Sequence, residues 1–311
     1  MKQHPELQYL NIIKELVGDA VVDEDGKLIK CNWEYGPRVT RGGAITVGGF
    51  NKTMVFDLDN SQIPLLTTKR VFFRGVVEEL LWMIRGSSDA NELINRGIHI
   101  WDGHTSRDFL DQRGLVDYKE GETGPLYGWQ WRRSGANWDR RGASGGDNGV
   151  DQLAAVIESL KSHPGERRHI ISAWNPSDLP KMALTPCHCL IQFYVRAGEY
   201  LDCTLYQRSA DVGLGVPFNI ASYAILVRLI AACTRLRPGK FYHTLGDYHI
   251  YESHITPLQV QSKLSPHPFP TLKIKGESEL RTVEDLERLT YDDFTLLNYR
   301  CHKGIKMNLV I

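Results

Sequence analysis

Residues 219–235, NIASYAILVRLIAACTR, carry a single charge, Arg228, before the closing Arg235. Apolar side chains occur on every side of the helix this stretch would form, so it is predicted to lie central in a core. Just upstream, Gly213-Leu214-Gly215-Val216-Pro217-Phe218-Asn219 reads as a glycine turn entering that helix, with Asn219 able to serve as its N-cap. Further upstream, residues 167–174, 190–196 and 201–206 are rich in β-prone residues and predict three strands. Before them, residues 151–162 place Leu153, Val156, Ile157 and Leu160 on one helical face. Residues 134–149, SGANWDRRGASGGDNG, are rich in glycine and charge and read as a surface loop.

Residues 72–85, FFRGVVEELLWMIR, set Phe73, Val76, Val77, Leu80, Leu81 and Ile84 on one broad helical face. Trp82 falls on the other side, so this helix is expected to be covered all round, with Glu79 held among apolar neighbours. Residues 42–58 predict a turn leading into strands, and 7–16 an amphipathic helix. Residues 291–311 alternate only weakly. Helices and strands are interspersed without a regular βαβ rhythm, which predicts an α+β fold, not a doubly wound one. No repeat or linker divides the chain, so residues 1–311 are read as one domain.

The chain has 42% apolar and 24% charged residues, the balance of a soluble globular protein. Basic and acidic residues number 37 each, which speaks against broad nucleic-acid or membrane binding but permits a local basic pocket. No export-like segment or membrane-length apolar run is apparent. The six cysteines contain no C-x-x-C pair and are read as reduced thiols in a cytosol-like compartment.

Cys187 stands in Thr185-Pro186-Cys187-His188-Cys189, before a predicted strand. Its plain reading is a buried thiol acting as a small hydrophobe. Its functional reading is a nucleophile, which requires nearby cations to lower its pKa. Neighbouring strand residues point to opposite faces, so His188 is not expected to pair with it as in a hydrolase. The cluster lacks a second spaced pair for zinc. Arg41, Arg167, Arg168 and Arg208 sit at turns or strand ends, Arg208 beside Ser209. Separately they read as solvated surface groups. Converging, their planar guanidinium groups suit a phosphate dianion and would depress a neighbouring thiol's pKa. The glycine turn lacks the third glycine of a dinucleotide fingerprint. Asn219 offers a donor and an acceptor together, the complement of the O4 and N3–H edge of uracil.

Several blocks then carry a resemblance. PLLTTKRVFFRGVVEELLWMIRG, IWDGHTSRDFLDQRGL, GPLYGWQWR, GVDQL, RRHIISAWNP, TPCHCLIQFYV, LYQRSADVGLGVPFNIASYAIL and HTLGDYHIYESH are similar, in order, to the signature blocks of thymidylate synthases. They cover the chain from about Arg41 onward. The resemblance implies a mixed sheet packed with helices, with a sheet face forming a homodimer interface. It implies methylation of dUMP to dTMP, with 5,10-methylenetetrahydrofolate as both one-carbon donor and reductant, dihydrofolate as product, and no metal.

Carried over residue by residue, Cys187 takes the nucleophile's place and Glu79 that of a glutamate managing proton transfers through ordered water. Tyr127 matches a tyrosine near carbon 5. Arg41, Arg208 and Ser209 match phosphate-holding residues, and Arg167 and Arg168 a pair reaching the second subunit's phosphate. Gln207 matches a substrate-positioning residue, Asn219 the uracil-reading asparagine, and His249 with Tyr251 the deoxyribose contacts. Asp211 matches the carboxylate that binds the pterin. Ile100, Trp101, Leu214, Gly215 and Phe218 match cofactor-pocket positions, and Val310 with Ile311 a mobile tail closing over the ligands.

Three stretches depart from the family pattern: Gly42-Gly43-Ala44-Ile45 in the loop after Arg41, His104 where asparagine is frequent, and Arg133-Ser134, which the resemblance places near the site's rim. Two rival readings differ in class. A hydroxymethylase of the same superfamily would hydrate the methylene; Asn219 and Trp101 speak against it. A non-catalytic regulatory homologue would have no need of an intact nucleophile and phosphate cluster.

Overall fold

The computed structural model describes residues 3–32, 34–40, 42–138 and 149–310. Its main sheet has six strands in the order Arg38–Val39, Ile45–Asp57, Arg237–Tyr251, Tyr200–Asp211, His188–Arg196 and Ile170–Ser172. Every neighbouring pair is antiparallel except Tyr200–Asp211 with Arg237–Tyr251. A parallel pair requires a crossover. The helix Gly215–Thr234 supplies it and is buried along nearly its whole length, as its composition predicts. The fold is therefore α+β with a mixed sheet.

That helix begins four residues earlier than the apolar run suggested. Pro217 lies in its first turn, where the amides have no partner inside the helix and a missing N–H costs nothing. Asn219 is consequently within the helix and does not cap it. The helix ends on Arg235, whose φ of 62° is left-handed.

The helix Phe73–Ile84 is buried along most of its surface, Trp82 included, with Arg74 exposed in its first turn. It carries Glu79 toward the sheet. The helices Leu7–Val17 and Gln152–Ser162 appear where their apolar spacing placed them. The strand Arg237–Tyr251, the longest in the sheet, was not anticipated. Its burial alternates with one change of phase: Gly239, Phe241, His243 and Leu245 are buried, then Gly246, Tyr248 and Ile250. Of the expected loop 134–149, residues 139–148 lie outside the described residues; on either side, Ser134 bridges Val150. Weak alternation after residue 291 resolves into one short strand, Phe294–Leu297, paired with Thr271–Ile274.

One apolar core joins these elements, from Tyr9 on the first helix to Phe294. The ends of Tyr200–Asp211 and Arg237–Tyr251, the turn before Gly215 and the cavity-facing side of Phe73–Ile84 meet at one edge of this core. The site lies there.

Candidate active site

A cavity of about 590 Å³ opens at this edge. Cys187, Glu79, Tyr127, Asn219, Gln207, Arg208, Ser209, His249 and Tyr251 line it, as do Asp211, Ile100, Trp101, Leu214, Gly215, Phe218 and Val310. Residues spread along the chain from Glu79 to Val310 thus meet around one volume. Arg41 and Ile311, two further expected members, lie outside the described residues. Arg167 and Arg168 are exposed and do not line this cavity. His99, His104, Leu184, His188, Met307 and Leu309 complete the wall. Of these, His104 had drawn notice as a departure from the family pattern and His188 as the neighbour of Cys187. Arg133 and Ser134 end a helix away from the cavity, with Arg133 Nη1 donating to Gly86 O at 3.2 Å.

Cys187 precedes the strand His188–Arg196, in a turn held from several sides. Its amide donates to Tyr127 Oη at 2.8 Å, and its carbonyl accepts from Arg208 N at 2.9 Å. Arg208 also reaches back to the turn, Nε to Pro186 O at 2.7 Å and Nη2 to Thr185 O at 2.9 Å. Two of its five donors are thereby occupied, and three remain for another partner. Its guanidinium carbon lies 5.5 Å from the Trp174 ring centroid.

Cations were expected to lower the thiol's pKa. Burial instead pushes the Cys187 thiol upward, and Asp211 adds to the rise. Arg208 and the Tyr127 hydroxyl pull it down, but by less. The expectation failed because two of its arginines stand elsewhere on the surface and the thiol sits in a desolvated turn.

A directed chain of amides fixes the orientation of Asn219. Gln207 Nε2 donates to Ser209 O at 3.0 Å and to Asn219 Oδ1 at 3.1 Å. Because a backbone carbonyl only accepts, the first bond settles which end of Gln207 carries the hydrogens. Gln207 Oε1 therefore accepts from His243 Nε2 at 2.7 Å, and Asn219 Nδ2 donates to His188 Nε2 at 2.9 Å. Asn219 keeps one amide hydrogen and one carbonyl lone pair for the cavity. That is the complement of a uracil O4 and N3–H.

His188 does share the cavity with Cys187. The strand's register shifts between His188 and Leu190, so simple alternation does not hold there. Its ring lies flat on Tyr127, centroids 4.5 Å apart at 14°. Burial lowers its pKa to about 3, and that of His243 likewise to about 3. Both are neutral hydrogen-bonding groups, and the ring nitrogen of His188 that faces a partner is spent on Asn219.

Glu79 faces the cavity from its helix. Trp101 Nε1 donates to Glu79 Oε1 at 2.9 Å. Burial lifts this carboxyl's pKa to about 7, and the indole bond opposes the rise only partly. A carboxyl balanced there can both take and give a proton near neutral pH. At the far side, His249 Nδ1 pairs with Asp247 Oδ1 at 3.0 Å, and Arg38 Nη1 holds Asp247 Oδ2 at 2.8 Å. With Nδ1 engaged by the carboxylate, His249 has Nε2 left for another partner.

Asp211 ends its strand with Oδ1 accepting from Gly213 N at 2.8 Å and Leu214 N at 3.2 Å. Its second oxygen is left for a ligand donor. Leu214, Phe218, Ile100 and Trp101 surround it with apolar surface, a suitable bed for a flat heteroaromatic ring bearing N–H groups. Lys69 is buried beside this corner, its Nζ donating to Gly213 O; desolvation lowers its pKa to about 8 although Asp211 opposes the shift. Among the described residues there is no group of three or more His, Cys, Asp or Glu side chains arranged to hold a metal ion.

A family model described as thymidylate synthase matches residues 8–311. The thymidylate synthase of Equine herpesvirus 2 (strain 86/87) is 48% identical over 311 residues, covering 100% of both chains. That of Homo sapiens is 48% identical over 308 residues, 99% of this chain and 91% of the relative. The bifunctional dihydrofolate reductase-thymidylate synthase of Leishmania major is 47% identical over 311 residues. This chain spans 56% of that relative's length and 51% to 58% of the other bifunctional relatives'.

Proposed function

The chain belongs to the thymidylate synthase family of methyltransferases, and from that premise we propose that it converts dUMP to dTMP with methylenetetrahydrofolate as carbon donor and reductant. The observation that carries the proposal is the placement of the Cys187 thiol in one cavity with the fixed amide of Asn219 and the free donors of Arg208.

Uracil carbon 5 is a weak nucleophile. Addition of the Cys187 thiolate to carbon 6 turns it into an enolate carbon, splitting one hard step into easier ones. The thiolate must form against its burial, and a phosphate drawn to Arg208 does not help it electrostatically. The Tyr127 hydroxyl and the Arg208 guanidinium are the groups that stabilise it. Charge then develops on O4. The free amide hydrogen of Asn219 meets it, and Glu79 reaches the same region through water.

Carbon 5 attacks the methylene of the opened folate, whose pterin ring is held by the second oxygen of Asp211. Loss of the carbon 5 proton calls for a base, and Tyr127 holds water for that step. Elimination frees the tetrahydrofolate from the new exocyclic methylene, which takes a hydride from it. Release of the Cys187 sulfur leaves thymidylate and dihydrofolate. His249 Nε2 and the Tyr251 hydroxyl serve the sugar hydroxyl.

The protein acts as a homodimer in this reading. Support comes from the outer sheet face, where Tyr194 and Tyr206 stand exposed at 60% and 39% beside Thr53 and Gln192. Exposed Arg167 and Arg168, outside their own cavity, are then the groups that enter the partner's phosphate site. Mixing a Cys187→Ala chain with an Arg168→Ala chain tests this, because one intact site forms only across two different subunits. Activity in the mixture and none in either parent supports it; a monomer by sedimentation sinks it. The chemistry itself is tested by following dihydrofolate formation spectrophotometrically with saturating dUMP and methylenetetrahydrofolate. Absence of turnover overturns the proposal.

A further inference from the structure

Residues 298–310 contain no helix or strand, yet Met307, Leu309 and Val310 line the cavity. The first part of the segment is well tied. Tyr299 Oη donates to Leu66 O at 2.7 Å and His302 N donates to Thr67 O at 2.8 Å. Beyond His302, the described residues show one hydrogen bond from this segment to the rest of the chain. It joins His254 Nε2 to Asn308 O at 2.8 Å.

We propose that His254 is a positioning residue, a latch that holds residues 303–310 in place so that Leu309 and Val310 close the folate side of the cavity. His254 is fully buried, just beyond the strand that carries His249 and Tyr251. A carbonyl only accepts, so Nε2 carries a hydrogen whatever the ring's charge. The other nitrogen, Nδ1, has no hydrogen-bond partner among the described residues and lies 4.0 Å from Asp211 Oδ1.

The ring reaches this position because residue 213 is glycine. A Cβ there would stand 2.9 Å from His254 Nδ1, 3.2 Å from Asp211 Oδ1 and 3.4 Å from Met307 Sδ. The Gly213 amide also holds Asp211 Oδ1, while Lys69 grips the Gly213 carbonyl. One bare residue thus lets the latch, the ligand-binding carboxylate and the closing segment share a corner. Coupling between the segment and Asp211 would run through this corner, in both directions.

The effect on folate rests on the proposed function, but the latch itself is readable without substrate. Exposed Lys303 and Lys306 lie within the anchored stretch, ahead of Asn308. Limited trypsin digestion of the ligand-free protein, followed by mass spectrometry, measures how often it opens. His254→Leu keeps bulk and removes the donor; cleavage is expected to quicken at least fivefold. His254→Gln restores an N–H donor and should return cleavage to within about twofold of the unaltered protein. A chain cut back to Met307 lacks the anchoring carbonyl and should be clipped at Lys303 as fast as His254→Leu, which keeps the test open if the leucine variant folds poorly.

In turnover, His254→Leu should raise the folate KM several-fold while leaving the Kd for dUMP unchanged. Wild-type cleavage rates in both the leucine variant and the shortened chain would overturn the latch, as would a glutamine variant clipped as fast as the leucine one. Cleavage as expected with no turnover in the unaltered protein would instead leave the latch standing and remove the proposed reaction.

Discussion

Trp101 Nε1 donates to Glu79 Oε1 at 2.9 Å, and that single indole bond is the polar contact that restrains a carboxyl whose pKa burial has lifted to about 7. Unfolded, the same carboxyl titrates near 4.5. Between those values the folded protein keeps a proton that the unfolded chain has released. Stability from this group is therefore complete below the lower value and is lost as pH rises through about 7.

Glu79→Gln keeps an oxygen for Trp101 and removes the titration. At pH 8 it should stabilise the protein by up to about 3 kcal/mol, and at pH 4 by almost nothing. Thermal melts of both proteins at the two pH values measure this. A gain equal at both would show that the carboxyl is not strained by burial. The same variant should lose the inflection near pH 7 in kcat and fall at least tenfold in rate, since an amide cannot relay a proton.

Asn219→Asp replaces the donor that faces O4 with an oxygen. Gln207 still donates to Oδ1, so the change is confined to the atom beside His188. kcat/KM for dUMP should fall by roughly 10² to 10³, the scale of losing one aligned donor at a developing oxyanion. Binding should shift toward dCMP, whose amino group offers the matching hydrogen. Undiminished preference for dUMP, measured as a ratio of Kd values, would remove Asn219 from base recognition.

Cys187→Ala should abolish turnover and leave dUMP binding measurable by calorimetry, because the phosphate and base contacts are made by other residues. In the unaltered protein, alkylation of Cys187 by iodoacetamide should be slow at pH 7 and accelerate into the alkaline range, following the thiol's raised pKa. Arg208→Met removes the cation that lowers it, so the rate at pH 8 should drop several-fold further. A faster reaction would mean that burial, not charge, had been relieved.

Asp211→Asn retains Oδ1 for the Gly213 and Leu214 amides and turns the ligand-facing oxygen into a donor. The folate KM should rise at least tenfold, about 1.4 kcal/mol or more, with the Kd for dUMP unchanged. Equal losses for both substrates would point to collapse of the turn instead.

The sequence by itself determined the family, the α+β class, the two most apolar helices and nearly all of the cavity's polar members. Their signals are local: a broad apolar face in 73–84, an apolar run on every side of 219–234, and distinctive runs around Cys187 and Arg208. The strand Arg237–Tyr251 escaped because its buried positions include His243 and Gly246 while Tyr242 and Tyr251 stand at less buried ones, and the buried phase shifts at Leu245–Gly246, so hydropathy does not display the period of two. Asn219 passed for a cap because residues 213–218 read as a glycine turn, whereas the helix already begins at Gly215 and tolerates Pro217 in its first turn.

Only the tertiary structure decided how the site behaves. It reversed the direction of the Cys187 pKa, because the balance of desolvation against charge depends on distance and enclosure, which no spacing encodes. It brought His188, His243 and Gln207 into the chain that orients Asn219, and it placed His254 under a carbonyl 54 residues away. Hydrogen bonds between remote segments carry direction and length, and those exist only once the backbone has closed on itself.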